Sequence, residues 1–116
     1  MPAPILQQLM ETIQDRKQNP SGKSYTASLL AGGVEKISRK IKEEADEVIE
    51  AAGEPGEEGR QHLIYEAGDL LYHLLVMLAA RDARLDEVEA ELARRFGVSG
   101  IAEKASRKTG SESADE

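Results

Sequence analysis

The sequence predicts an all-α fold, a helical bundle of about four helices, on three observations. Apolar residues recur at helical spacing over four segments, no stretch sustains the period-two alternation of a strand, and the breaker-rich stretches NPSG and GEPGEEG fall between segments.

The first helix is expected over residues 4–18, where Ile5, Leu6, Leu9 and Ile13 share a face and Pro4 is tolerated in the first turn. The polar stretch NPSGKSYTAS, residues 19–28, mixes breakers with hydroxyls and one lysine, and reads as a loop able to hold ligand groups. The second helix, residues 29–52, carries Leu30, Val34, Ile37, Ile41, Ala45, Val48 and Ala52 on one stripe. The third, residues 61–81, spreads Leu63, Ile64, Leu70, Leu71, Leu74, Leu75, Val76, Met77 and Leu78 around its circumference, as in a helix buried on several sides. A fourth amphipathic helix, residues 85–96, aligns Leu85, Val88 and Leu92, and Gly97 closes it. Residues 1–108 read as one domain, with a short helical turn after Gly97, and residues 109–116 as a disordered Ser/Gly/acidic tail.

At 116 residues the chain supports a core of modest size, and pairing with a second copy would bury more apolar surface. With 22 acidic against 15 basic residues the net charge is -7, which argues against a nucleic-acid partner. Any bound phosphate then needs local lysines or a metal. The absence of cysteine excludes disulfides and thiolate zinc sites and suits a reducing compartment, so the cytoplasm is expected. The opening MPAPILQQLM has no basic start and no long apolar run, so no export leader is expected, and the longest uncharged apolar stretch, residues 70–80 with His73 inside it, is too short to span a bilayer. No membrane partner is expected.

Chemistry concentrates in two acidic motifs. KEEADEVIE in the second helix contains Glu43, Glu44 and Glu47 in the pattern EExxE, and EAGD in the third contains Glu66 and Asp69 in the pattern ExxD. At about 100° per residue, the three glutamates fall in an arc of about 100° that also holds Lys36 and Lys40 and borders the stripe of Ile37, Ile41 and Val48. Glu35, Lys42 and Asp46 point the other way, as a solvated face does. A carboxylate removed from water without a partner is costly or loses its charge. Packed antiparallel, the two helices would bring four or five carboxylates to one point, an arrangement that a cation stabilises. Neither acid pair is followed by histidine at Glu-x-x-His spacing, which argues against a di-iron centre. All-oxygen ligation favours Mg²⁺, with Mn²⁺ as a substitute, and Mg²⁺ completes its shell with water and substrate phosphates. Alternatively, Lys36, Lys40 or a partner-chain arginine pairs with the acids in a non-catalytic helical dimerisation module.

Other residues carry two readings each. His73, on the same face as Asp69, can orient a carboxylate, contact substrate or act as a base, or it can be a satisfied core histidine. Ser24, Tyr25, Thr26 and Ser28 can bind phosphate or ribose, or serve as loop and capping groups. Lys104 and Arg107 in EKASRK can bind a phosphate or stay solvated.

Taken together, SYTASLLAGGVEKISRKIKEEADEVIEAA, EAGDLLYHLLVMLAARDARLDEVEAELARR and GVSGIAEKASRK resemble the phosphoribosyl-ATP pyrophosphatases of histidine biosynthesis, over nearly the whole chain. EExxE followed by ExxD marks the wider MazG-like all-α nucleoside triphosphate pyrophosphatases, and SYTA, DLLYHLLV and EKASR narrow the resemblance to the histidine branch. It implies Mg²⁺-dependent hydrolysis of 1-(5-phosphoribosyl)-ATP to 1-(5-phosphoribosyl)-AMP and pyrophosphate in a helical homodimer, in the form without a fused cyclohydrolase domain. It places metal ligands on Glu44, Glu47, Glu66 and Asp69, with Glu43 either a ligand of a second ion or the group that positions water, and Glu43 or Glu47 to orient or deprotonate that water. Lys36 and Lys40 would face the triphosphate, with Ser24, Tyr25, His73, Lys104 and Arg107 as further substrate contacts. The chain departs from the family where Lys42 precedes the paired glutamates in place of a frequent glycine; pointing away from the acids, it should cost no activity. A housecleaning pyrophosphatase acting on dUTP or aberrant nucleotides is the alternative activity of the same fold.

Overall fold

The computed structural model describes residues 3–96, which form four helices and no strand. The first, α1 (Ile5–Gln18), starts directly after Pro4, whose extended backbone caps the helix rather than joining its first turn. Met10 and Ile13 are its buried residues.

The helix α2 (Tyr25–Ala52) starts four residues before the expected position. Ser24 is the reason: its Oγ accepts from the Ala27 N–H at 3.1 Å, satisfying a donor that the first turn leaves free. The expected loop over residues 19–28 is therefore shorter, and Tyr25 to Ser28 are helical. The helix is broken at Gly33, whose φ of 73° and ψ of -173° lie in a region essentially confined to glycine. Residues 25–32 and 34–52 are thus two segments, and the chain folds back between them. Lys36 Nζ donates to Ser28 Oγ across the break at 2.9 Å, and Tyr25 is brought beside Lys40. Gly32 makes room for this return, since a Cβ there would stand 2.3 Å from Lys36 Cδ.

The helix α3 (Gly56–Ala80) also begins earlier than expected, within GEPGEEG. Pro55 precedes its first residue, and Glu57 and Glu58 lie in the first turn, where carboxylates complement the helix dipole. Gly59 permits a close approach: a Cβ there would meet the Glu54 carbonyl oxygen at 2.2 Å, so the connection lies directly on the first turn of α3. At the far end, Ala83 N–H donates to Leu78 O at 2.8 Å and Asp82 N–H to Ala79 O at 3.0 Å, with Asp82 at φ 57°, the pattern of a Schellman cap. Lys17 of α1 donates to both Ala79 O and Asp82 Oδ1 at 2.7 Å, tying the ends of α1 and α3 together.

The core cluster is Met10, Ile13, Leu29, Ile37, Leu75, Val76 and Ala79, drawn from α1, both segments of α2, and α3. By length and composition α3 would pass as a membrane span. Its buried Glu66 and His73, and its packing on α1 and α2, account for it as the central helix of a bundle. A second unit begins at Asp86 and holds nearly all of α4 (Leu85–Phe96), which is internally paired: Glu91 accepts from Arg94 at 2.8 Å and Arg95 at 3.1 Å. Arg94 and then Arg95 hold its carboxyl down at about 2.

Candidate active site

Two glutamates occupy positions where helix periodicity calls for apolar side chains. On α2, Ile37, Glu44 and Ala51 follow one another at intervals of seven and all three are buried. On α3, Gly59, Glu66 and His73 do the same. Glu44 and Glu66 are 6% and 8% exposed, so the core face of each helix carries a carboxylate toward the other. Asp69, half-buried, joins them from the next turn of α3. One ligand oxygen from each of the three lies within 4.8 Å of the others, the one such metal-capable group among the described residues.

Electrostatically the trio is under-compensated. Glu44 Oε2 and Glu66 Oε1 are buried without a hydrogen-bond partner. Burial first, then the neighbouring Glu66 carboxylate and the charges of Asp69 and Glu47, push Glu44 up to about 7. Glu47, half-buried on α2, is raised by its contact with Glu66 and then by burial. Burial pushes Glu66 in the same direction, but the proximity of Glu47, His62 and Glu44 outweighs it and holds Glu66 below the usual carboxylate range. Carboxylates that compete for protons in this way, with two oxygens left over, fit a divalent cation with oxygen ligands. Glu44, Glu66 and Asp69 would hold it, with Glu47 alongside.

The remaining candidates separate by position. Glu43 is exposed and lies 3.5 Å from Lys40 Nζ, outside the trio. Lys40 is half-buried; burial disfavours its charge, but Tyr25, Glu43 and Glu44 together outweigh burial and raise its pKa. Lys36 turns back to Ser28 instead of facing the acids, and Ser24 is engaged as the cap of α2. Lys104 and Arg107 fall outside the described residues.

Tyr25 and His73 form one unit. His73 Nδ1 lies 2.9 Å from the Asp69 carbonyl oxygen, which only accepts, so this nitrogen carries the hydrogen. In the neutral ring Nε2 is then an acceptor, and the Tyr25 hydroxyl, 3.2 Å away, donates to it. Tyr72 stacks beside Tyr25 with ring centroids 6.2 Å apart and shares a hydrogen bond with Thr26. His73 is thus a satisfied core histidine, whereas Tyr25 is half exposed. Its one proton is spent, so this hydroxyl suits a donor such as a ribose hydroxyl and not a phosphate oxygen.

Sequence reasoning passed over His62 and Glu54. His62 Nε2 lies 3.0 Å from Glu66 Oε2 and its Nδ1 lies 2.9 Å from Glu54 Oε1. The four-residue spacing of His62 and Glu66 was a legible signal for their contact. The role of Glu54 was not, because it depends on how the connection folds.

Comparison with known proteins identifies the family. A family profile described as phosphoribosyl-ATP pyrophosphohydrolase matches residues 6–96. Among similar curated proteins, the phosphoribosyl-ATP pyrophosphatase of Rhodopirellula baltica is 61% identical over 103 residues, covering 88% of this chain and 85% of that protein. That of Rhodobacter capsulatus is 55% identical over 102 residues, covering 88% and 96%, and that of Geotalea daltonii is 53% identical over 103 residues, covering 89% and 94%. With its acidic motifs meeting between α2 and α3 as they do, this chain belongs to the phosphoribosyl-ATP pyrophosphohydrolase family.

Proposed function

We propose that the protein hydrolyses 1-(5-phosphoribosyl)-ATP to 1-(5-phosphoribosyl)-AMP and pyrophosphate in histidine biosynthesis, with Mg²⁺ held by Glu44, Glu66 and Asp69, and Mn²⁺ able to substitute. The observation that carries this is the convergence of Glu44, Glu66 and Asp69, with one buried oxygen on each glutamate left without a hydrogen-bond partner. When bound, the cation supplies Lewis-acid neutralisation of the triphosphate and of the pyrophosphate leaving group. The chain's residues do the positioning. Lys40 presents its ammonium beside Glu44, where polyphosphate oxygens would lie, and Tyr25 accepts from a ribose hydroxyl. Of the two candidates for orienting or deprotonating the attacking water, Glu47 lies against Glu66, whereas Glu43 stands exposed beside Lys40, so we assign the task to Glu47. An ion-paired dimerisation module is less well supported, because Lys36 turns to Ser28 and Glu44 Oε2 and Glu66 Oε1 keep no hydrogen-bond partner.

A homodimer is part of this proposal. Ile64, Leu71 and Leu74 are 52%, 44% and 42% exposed. At about 100° per residue they share an arc of about 80° on α3, away from the side holding Glu66 and His73. Such a stripe suits a second copy of the chain. Sedimentation equilibrium should give twice the chain mass, and a Leu71→Glu variant should dissociate. A cytoplasmic location, without nucleic acid or membrane partners, accords with the acidic composition and the lack of cysteine.

The deciding experiment measures pyrophosphate release from phosphoribosyl-ATP with and without Mg²⁺, beside the common dNTPs. Release only from phosphoribosyl-ATP and only with Mg²⁺ is expected. Preference for dNTPs would assign a housecleaning role, and no release from any of them would remove the enzymatic reading.

A further inference from the structure

We propose that His62 is a positioning residue for Glu66: anchored by Glu54 in the α2–α3 connection, it holds one Glu66 oxygen and leaves the other, buried and without a hydrogen-bond partner, for a cation shared with Glu44 and Asp69. This rests on the metal-binding function proposed above for the acidic trio. A glutamate side chain has three rotatable bonds, and a ligand that must be ordered at the moment of binding loses affinity for that reason. Here the ordering is already done. His62 Nε2 lies 3.0 Å from Glu66 Oε2, while Glu66 Oε1 is buried and has no partner. A ring held only at Nε2 could still swing about its own bonds. Its other nitrogen lies 2.9 Å from Glu54 Oε1, so the imidazole is bracketed between two carboxylates. Glu54 is placed in turn by the chain, because its carbonyl and Cβ lie where a side chain at residue 59 would be, and only glycine leaves that space open. The burial gradient fits the assignment: the Glu66 side chain is 10% exposed, whereas His62 and Glu54 are 41% and 44% exposed. The anchoring pair faces water and the anchored carboxylate faces the trio. Outer partners that orient a ligand in this way commonly set metal affinity by about 10- to 100-fold.

The test is isothermal titration of the full chain with Mg²⁺, repeated with Mn²⁺ by electron paramagnetic resonance, for the wild type and for His62→Ala, His62→Gln, Glu54→Ala and the double alanine variant. His62→Ala should weaken both cations by about tenfold or more. His62→Gln, whose amide N–H still donates to Glu66, should recover most of that. Glu54→Ala should lose less than His62→Ala, and the double variant no more, since both act through one ring. In the assay, His62→Ala should raise the Mg²⁺ concentration for half-maximal pyrophosphate release while leaving the KM for nucleotide at saturating Mg²⁺ unchanged. Wild-type cation affinity in His62→Ala overturns the proposal even if the variant melts earlier, as do additive losses in the double variant. Should His62→Ala fail to fold, Glu54→Ala with unchanged affinity overturns it. A wild-type protein that binds neither cation overturns both this proposal and the metal site; a wild type that binds them while His62→Ala matches it overturns this proposal alone.

Discussion

Glu44 and Glu66 face each other from α2 and α3 at core positions, each with one buried oxygen that has no hydrogen-bond partner. An apolar pair there would make an ordinary bundle, so the carboxylates are held at a cost to the fold. Glu44→Gln should therefore raise the melting temperature of the metal-free protein, because an amide removes a charge that burial disfavours. The same change should lower pyrophosphate release by at least about 100-fold, the scale on which loss of a group stabilising transition-state charge is felt. Asp69→Asn should lower activity alike. Full activity in either variant removes that residue from the site.

Metal binding should also be visible without substrate. A site formed only in the folded chain gains stability with cation concentration, by about 2.7 kcal/mol at 100 times Kd. The melting temperature should rise with Mg²⁺, fall back on chelation, and show no rise in the Glu44→Gln, Asp69→Asn double variant. A wild-type melting point indifferent to Mg²⁺ and Mn²⁺ contradicts the site.

Lys40 and Tyr25 can be told apart by kinetics. Lys40→Ala removes a cation beside Glu44 and should raise KM or lower kcat for the triphosphate substrate, whichever ribose it carries. Tyr25→Phe removes an acceptor and should penalise the normal substrate while leaving one that lacks the matching ribose hydroxyl nearly unaffected. Equal losses with both substrates would show that Tyr25 does not read that hydroxyl.

Gly33 sets the path of α2. Gly33→Ala meets no atom within 4 Å, so its penalty is backbone strain and not a clash. With φ at 73° and ψ at -173°, the loss should be on the order of 1–3 kcal/mol in chemical denaturation. Activity should fall as well, because the fold-back carries Tyr25 to Lys40. Wild-type stability would show that the bend forms without glycine.

The pair formed by Lys17 and Asp82 gives the protein an acid-dependent contribution. The hydrogen bond and charge of Lys17 hold Asp82 below its ordinary 3.8. The folded chain therefore releases this proton at lower pH than the unfolded chain does. The resulting stability is present above about pH 3.8 and is lost as pH falls through the folded value. Asp82→Asn keeps a residue that tolerates positive φ and removes the charge. It should melt below wild type at neutral pH, with the gap closing in acid; a gap constant with pH would assign the loss to the cap and not to the ion pair.

Much of this was legible in the chain itself. Helical periodicity marked four helices, and the acids of an apolar helix, Glu66 and Asp69, with Glu44 and Glu47 at the edge of the α2 stripe, marked the candidate site, because an acid against a core requires compensation. The bounds of α4 agreed with the pattern. The starts of α2 and α3 did not, because Ser24 and Pro55 act as caps inside stretches whose composition resembles loops. The tertiary structure alone decided the direction of the chain at Gly33, the turning of Lys36 to Ser28, the seating of Tyr25 on His73 and the clamp of Glu54 and His62 on Glu66. Periodicity records which face of a helix avoids water. It carries no information on where a left-handed glycine sends the chain, and so none on which distant side chains meet across the bend.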